Sequence, residues 1–417
     1  MDSALSCSAG KNDRALSVDA ARLRALAATL PISRTETCQI DQAVHRVLAK
    51  EVLAPTALPP FDNSAMDGFC FHSSDLDAEG PWSMQISGTI AAGETASHPK
   101  TNGAARIFTG APVPRWADTV IQHELVQQAD NYLTILQKPM VGKNIRRVGE
   151  DCESNALVLQ RGQVLSPPRL ALLAATGCTQ VEVFRRLRVA ILSTGDELVE
   201  PGTKLRHGQI YNSNRTFLRA ALTRPWIEVS DLGIVGDDLA DIRSALRVNA
   251  GLHDVIISSG GMSAGGKDHL LDALIAEEAD LDVLKVAIRP GKPLTVGRLG
   301  KCLFFGLPGN PLAAAVTFSQ IAVPALRKAA GMMETPDFWI PGVADFSYRR
   351  TPGRREFIPV NWSSRDEMGR VVVQRLGSGS SAGLVPLSMA MGLAIIEPDQ
   401  TLVLPGEALR VEPLFDL

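Results

Sequence analysis

The chain has 417 residues, 45% of them hydrophobic and 21% charged, with a formal net charge of -3 and a pI near 6.2. This length exceeds a single ordinary core, so roughly three or four domains are expected. A near-neutral balance without Lys/Arg clusters interleaved with aromatics excludes a nucleic-acid footprint. The cysteines Cys7, Cys38, Cys70, Cys152, Cys178 and Cys302 are scattered with no C-x-x-C, which argues against a zinc site or a disulfide framework and for a reducing compartment. No apolar run is long enough to span a membrane and the first seventeen residues lack an apolar h-region, so residues 1–17 read as a disordered cytoplasmic tail.

Helical spacing of Leu23, Leu26, Ala27 and Leu30 predicts a helix from Val18 to Leu30. A second helix is expected where Ile40, Val44, Val47, Leu48 and Val52 share a stripe behind Asp41 as cap. Pro55, Pro59 and Pro60 end this opening segment. Phe61 to Ile135 then carries short alternating runs, such as Ser83 to Ser87 and Thr119 to Gln122, and reads as a β-domain. Ser166-Pro167-Pro168 supplies a cap and a proline at the first helical position, and Gly177 closes the helix. The return of helix after strands suggests one helical unit in two pieces, with the β-domain inserted between them.

From Arg188 apolar strands alternate with helices. Strands are expected at Val189 to Leu192, Val229 to Val235, Val255 to Ile257, Val283 to Ala287 and Leu303 to Phe305, with helices at Ala240 to Val248 and Pro311 to Ala330. This is the pattern of a doubly wound α/β domain, in which ligands bind beyond the carboxyl ends of the strands. Short strands at Arg370 to Gln374, Leu393 to Ile396 and Thr401 to Leu404 predict a terminal all-β domain.

Polar clusters fall at the expected strand ends. Ser258, Ser259, Gly260, Gly261, Ser263, Gly265 and Gly266 form a glycine-rich loop that ends in Lys267 and Asp268. By itself this loop reads as a tight strand-to-helix turn, yet its N–H groups and serines can also face an anion. Asp196 and Glu197 follow one strand, and Asp237 and Asp238 another. Single acids here are ordinary helix starts; as a set beside the glycine-rich loop they suit Mg²⁺ and phosphate, because a hard cation prefers carboxylate oxygen. Lys285, Arg289 and Lys292 surround a Pro-Gly bend whose natural partner is an oxyanion. Gly306-Leu307-Pro308-Gly309-Asn310-Pro311 ends a strand and opens a helix, with Asn310 as cap; it reads equally as an anion-binding terminus and as a plain cap. Spacing alone leaves the Asp- and Gly-rich loops around Asp67, Thr109 and Asp151 as surface turns.

The motifs F-D-N-S-A-M-D-G, T-G-A-P-V-P, R-R-V-G-E-D, S-T-G-D-E-L, G-Q-I-Y-N-S-N, S-S-G-G-M-S-A-G, P-G-K-P and G-L-P-G-N-P occur in this order over nearly the whole chain from about Val18. In this the sequence resembles the MoeA family of molybdopterin molybdenumtransferases, which includes the carboxy-terminal part of gephyrin. The resemblance implies a multi-domain α+β and α/β protein. Residues 18–56 and 145–184 would form a split helical domain, 57–144 an inserted β-domain, 185–333 a MogA-like doubly wound α/β domain and 334–417 a C-terminal β-barrel.

The implied reaction places molybdate on adenylylated molybdopterin with Mg²⁺ and releases AMP and molybdenum cofactor. The family also implies a cytoplasmic homodimer whose cleft lies between the α/β domain of one subunit and the inserted domain of the other, supplied by an adenylyltransferase partner of the MogA kind. Carried over by motif, Asp67, Asp151, Asp237 and Asp268 are expected to be catalytic, and Glu197, Asp237 and Asp268 to hold the metal. Thr109, Ser259, Gly260, Gly261, Ser263, Lys285, Arg289, Lys292, Pro308 and Asn310 are expected to bind substrate, with Ser380 or Ser381 as a further candidate. Arg289 stands where the family commonly has lysine, which keeps the charge and changes the geometry. Two other classes compete: an adenylyltransferase of the MogA or MoaB kind, which would resemble only Arg185 to Met333, and a non-enzymatic scaffold of the gephyrin type.

Overall fold

A computed structural model of the chain describes residues 15–77, 79–94, 103–260 and 269–414. The expected site residues Gly261, Ser263 and Asp268 lie outside them. Of the expected tail, residues 15–17 are structured: Leu16 donates to the Lys285 carbonyl and accepts from Ala287 N–H, and the Ser17 hydroxyl caps the first helix by accepting from Ala20 N–H at 3.1 Å.

That helix, Val18–Ala28, buries Val18, Ala21 and Ala25 against the α/β domain, in one cluster with Leu294, Phe318 and Ala325. The second expected helix does not form. Ile40–Gln42 is a single 3₁₀ turn and His45 takes a left-handed φ of 57°. Val47 and Leu48 then bridge to Val164 and Val183, and Val52–Leu53 pairs with Leu157–Leu159. The apolar stripe is real, but pairing with the later segment buries it; for β-branched residues that is the better solution. The strand Thr35–Gln39 likewise pairs antiparallel with Gln180–Phe184, so the pieces on either side of the insertion do pack together, around Ala43, Leu48, Leu159, Leu173 and Val183. The helix Pro167–Ala175 has proline in its first turn and Gly177 at φ 87° past its end, although the Ser166 side chain makes no capping bond.

The inserted β-domain is a six-stranded sheet in the order Thr119–Gln122, Gly68–Phe71, Gly103–Ile107, Trp82–Ile90, Tyr132–Ile135 and Val126–Ala129. The α/β domain holds a second six-stranded sheet, ordered Ile227–Val235, Leu187–Thr194, Val255–Ser259, Cys302–Leu307, Pro293–Leu299 and Asp280–Lys285. The first four strands are parallel and the last two antiparallel. Alternation along the strands separates two cores. Val189, Ile191, Val255, Ile257 and Phe305 face the helices Val18–Ala28, Ser213–Leu222 and Pro311–Thr317, whereas Ala190, Leu192, Ile256 and Phe304 face Leu239–Leu252 and His269–Ala276.

The C-terminal region closes a barrel of five strands, Arg355–Arg365, Val371–Arg375, Ile340–Ala344, Ala408–Pro413 and Gly392–Ile396, with the last pairing back to the first. A short helix that periodicity did not predict, Leu384–Met389, follows its Gly- and Ser-rich loop. Among the described residues no helix is long and apolar enough to cross a membrane.

Candidate functional site

Three motifs far apart in sequence meet at the root of the inserted domain. Asn63–Ser64 pairs antiparallel with Ile145–Arg146. Asp62 accepts from Val148 N–H at 2.8 Å and from the Arg147 guanidinium at 2.6 Å, and Ser64 O accepts from Gly110 N–H at 2.8 Å. Burial works to raise the Asp62 pKa, but the Val148 N–H and Arg147 together hold it below the ordinary carboxylate value. Asp67 leaves this knot exposed, and its Oδ1 accepts from both the backbone N–H and the hydroxyl of Thr109, at 2.8 and 2.7 Å. The Thr109 N–H, then its hydroxyl, depress the Asp67 pKa. The result is a solvent-facing carboxylate fixed in direction and kept charged. Asp151 is exposed in the adjoining loop, its N–H bound to Leu58 O at 3.0 Å.

A second set of loops assembles at the carboxyl ends of the parallel strands. Glu197 O accepts from Ile210 N–H and Val199 O from Asn212 N–H, so S-T-G-D-E-L lies beside G-Q-I-Y-N-S-N. Gly195 sits at φ 137°, a conformation that L side chains rarely adopt, whereas the 2.6 Å approach of a Cβ to Glu197 Oε2 could be relieved by movement of that exposed side chain. Asp196 Oδ1 accepts from Asp237 N–H at 3.4 Å, and Asp238 caps the next helix through Ala240 and Asp241 N–H. Asn214 Nδ2 donates to Gly309 O at 2.7 Å, and Gly260 N–H to Leu307 O at 3.2 Å, which joins the glycine-rich loop to G-L-P-G-N-P. Asn310 holds the N-cap position of Pro311–Thr317, its carbonyl accepting from Ala314 N–H at 2.8 Å, but its side chain makes no capping bond. Its Nδ2 instead donates to Ser381 Oγ of the terminal region at 3.1 Å, and Leu312 N–H donates to Ser381 O. Pro308, two residues before Asn310, is buried.

Four hydroxyls are buried at this edge without a hydrogen-bond partner among the described residues: Ser193 and Thr194 on one strand, Ser258 and Ser259 on its neighbour. Ser193 and Ser259 lie side by side in register on one face, while Thr194 and Ser258 point to the other. Buried polar atoms normally find partners, and these four stand at the carboxyl ends of two neighbouring parallel strands, where ligands bind in α/β folds.

Of the expected cations, Lys285 ends the edge strand opposite Pro293, and Lys292 is exposed, its carbonyl accepting from Val286 N–H. Arg289 departs from the free anion ligand its position suggests, because its Nε lies 3.3 Å from Glu356 of the barrel. Among the described residues no cluster of three potential metal-ligating acids, histidines or cysteines occurs; of the expected metal ligands, Glu197 is exposed and Asp237 partly so.

The structure thus groups Asp67 with Thr109, and Glu197, Asp237, Ser259, Gly260, Pro308 and Asn310 at one sheet edge. The bonds described around Asp67, Thr109 and Asp151 remain within the first group. Asn214, Glu356 and Tyr348 were not singled out by sequence reasoning. The available signals were the N-S-N of the quoted motif and an acid interrupting the apolar strand after Arg355.

The chain matches the MoeA N-terminal region (domain I and II) over residues 16–177, a probable molybdopterin binding domain over 190–328 and the MoeA C-terminal region (domain IV) over 341–414. It is 34% identical over 407 residues to a molybdopterin molybdenumtransferase of Haemophilus influenzae, covering 96% of this chain and 99% of that one. It is 36% identical over 402 residues to molybdopterin molybdenumtransferase 2 of Mycobacterium tuberculosis, covering 93% and 97%. Its fold is that of a molybdopterin biosynthesis MoeA protein from Pyrococcus horikoshii, with a TM-score of 0.82, 25% identity and coverage of 95% and 99%. Knotted inserted-domain motifs, an oxygen-lined sheet edge and full-length similarity agree: the chain belongs to the MoeA family of molybdopterin molybdenumtransferases.

Proposed function

We propose that the protein inserts molybdate into adenylylated molybdopterin, releasing AMP and molybdenum cofactor, as a cytoplasmic homodimer supplied by an adenylyltransferase of the MogA kind. The observation that carries this reading is the row of partnerless buried hydroxyls Ser193, Thr194, Ser258 and Ser259 beneath the acidic loops. Full-length similarity favours it over the adenylyltransferase reading, since the relatives compared carry all the regions.

In this mechanism the hydroxyls and the Gly260 and Gly309 backbone cradle the pterin-linked pyrophosphate. Lys285, Arg289 and Lys292 draw in molybdate and the phosphate charge. Oxygen donors suit a hard cation, and Glu197 and Asp237, with Asp268, would hold Mg²⁺, which screens phosphate charge when bound. Asp67, oriented by Thr109, supplies a fixed carboxylate that accepts a proton or positions a water, and Asp151 supplies a second acid from the loop that follows Arg147. Because the bonds described around Asp67 stay in its own domain, a second copy is the natural source of the facing sheet edge.

The test is to supply purified protein with adenylylated molybdopterin, Mg²⁺ and molybdate and to measure AMP. Release that rises with molybdate is expected; molybdate-independent release, or none, sinks the reading. Sedimentation at working concentration separately checks the dimer.

A further inference from the structure

The three cations between Lys285 and Pro293 differ in their surroundings. Ile288–Arg289 pairs in parallel with Arg355–Glu356 of the barrel, which sets Arg289 opposite Glu356. The Glu356 side chain is 4% exposed. Its Oε1 accepts from the Tyr348 hydroxyl at 2.7 Å and lies 3.3 Å from Arg289 Nε, while Oε2 lies 3.3 Å from Arg350 Nε. Arg350 is itself buried and tied to the carbonyls of Ile396 and Glu397. The Arg375 guanidinium covers the Tyr348 ring at 4.2 Å. A buried carboxylate between two guanidiniums and a phenol has little freedom. Arg289, by contrast, is 37% exposed at its side chain, and its Nη1 and Nη2 make no hydrogen bond among the described residues.

We propose that Glu356 is a positioning residue, which holds Arg289 by Nε so that the two terminal guanidinium nitrogens are left for an oxyanion of the substrate. The inference rests on the metal-transfer reading for the identity of the substrate, but not for the anion contact. It also gives Arg289 a role that lysine fills less well: an ammonium gathers its three N–H groups on one nitrogen, so Glu356 and the anion compete for the position of that atom, whereas the guanidinium fork presents separate nitrogens to each. The barrel then takes part in the site by fixing the backbone and side chain at the head of the R-P-G-K-P bend.

Calorimetric titration of the full chain with inorganic pyrophosphate, without Mg²⁺, tests this. Arg289→Lys is expected to weaken binding about tenfold with an unchanged melting temperature, and Glu356→Gln to weaken it by a similar factor. Glu356→Gln should also speed amide exchange across Val286 to Leu294. Combining the two should cost no more than the worse single change, because both act through one contact. If Glu356→Gln does not fold, Tyr348→Phe, which removes one bond to the same carboxylate, should shift affinity and exchange in the same direction to a smaller extent. Wild-type affinity in Arg289→Lys, or in folded Glu356→Gln or Tyr348→Phe, overturns the proposal. So does failure of the unaltered chain to bind pyrophosphate, an outcome that leaves molybdate-dependent AMP release to be judged by its own assay.

Discussion

Asp67 and Thr109 form a two-point contact: one carboxylate oxygen receives both the N–H and the hydroxyl of the threonine, at 2.8 and 2.7 Å. The contact orients an otherwise exposed acid and depresses its pKa, the backbone bond contributing most. Thr109→Val keeps the N–H and removes the hydroxyl. The Asp67 pKa should therefore rise part of the way back, and the acid limb of the AMP-release profile should move to higher pH. Carbon-detected titration of the Asp67 carboxyl and the pH–rate profile check it together. Asp67→Asn should lower the rate about 100-fold at any pH, the lower range for a positioned acid–base group, and full activity would remove Asp67 from the chemistry.

Gly68→Ala should unfold the inserted domain locally. A Cβ at Gly68 would lie 1.9 Å from Ile121 O, in the ladder joining Gly68–Phe71 to Thr119–Gln122. Backbone cannot yield as a flexible side chain can, so a loss of about 3 kcal/mol is expected. Urea unfolding with a probe in the inserted domain measures it. A wild-type midpoint would mean that the two strands separate without penalty.

Arg185 grips Asp254 through two bonds of 2.7 Å, and Arg188 N–H adds a third at 2.9 Å. Burial raises the Asp254 pKa, but these bonds outweigh it and the net shift is downward. A depressed carboxyl stabilises the fold fully above its unfolded pKa, and that stability is lost as pH falls through the folded value. Asp254→Asn should therefore cost about 2 kcal/mol near pH 7, and the gap to wild type should begin to narrow below about pH 4 and close only below the depressed folded pKa. Chemical unfolding at the two pH values reads the difference; a gap that persists in acid would assign the effect to packing.

Ser381→Ala removes the oxygen that receives Asn310 Nδ2 and leaves the backbone bond from Leu312 to Ser381 O in place. A loop ordered less well should raise KM for adenylylated molybdopterin about fivefold, roughly one neutral hydrogen bond, with kcat and melting temperature little changed. Steady-state kinetics distinguish this from a fall in kcat, which would place Ser381 in the chemical step.

The strands at Val189, Val255 and Leu303, the helix at Leu239 and the helical stretch from Pro311, which a π turn at Phe318–Ala322 divides, were legible because each element's period is written into its own residues. The stripe at Ile40 to Val52 misled because the same residues satisfy a helix alone and a bridge in company. What covers an apolar side chain is a property of the partner segment, here Leu157 to Phe184. Asn310 shows the same limit for polar groups, since it takes the cap position its sequence suggests while its side chain donates to Ser381, 71 residues away.

Motif order, the family the motifs resemble and the alternation of strand and helix can be read along the chain, because these are local patterns in residue type. Folding in three dimensions is what closes Asp62 on Val148, orients Asp67 by Thr109, lays Ser193 beside Ser259 and sets Arg289 against Glu356. Each is a contact across tens of residues, fixed by strand register and domain packing rather than by spacing along the chain.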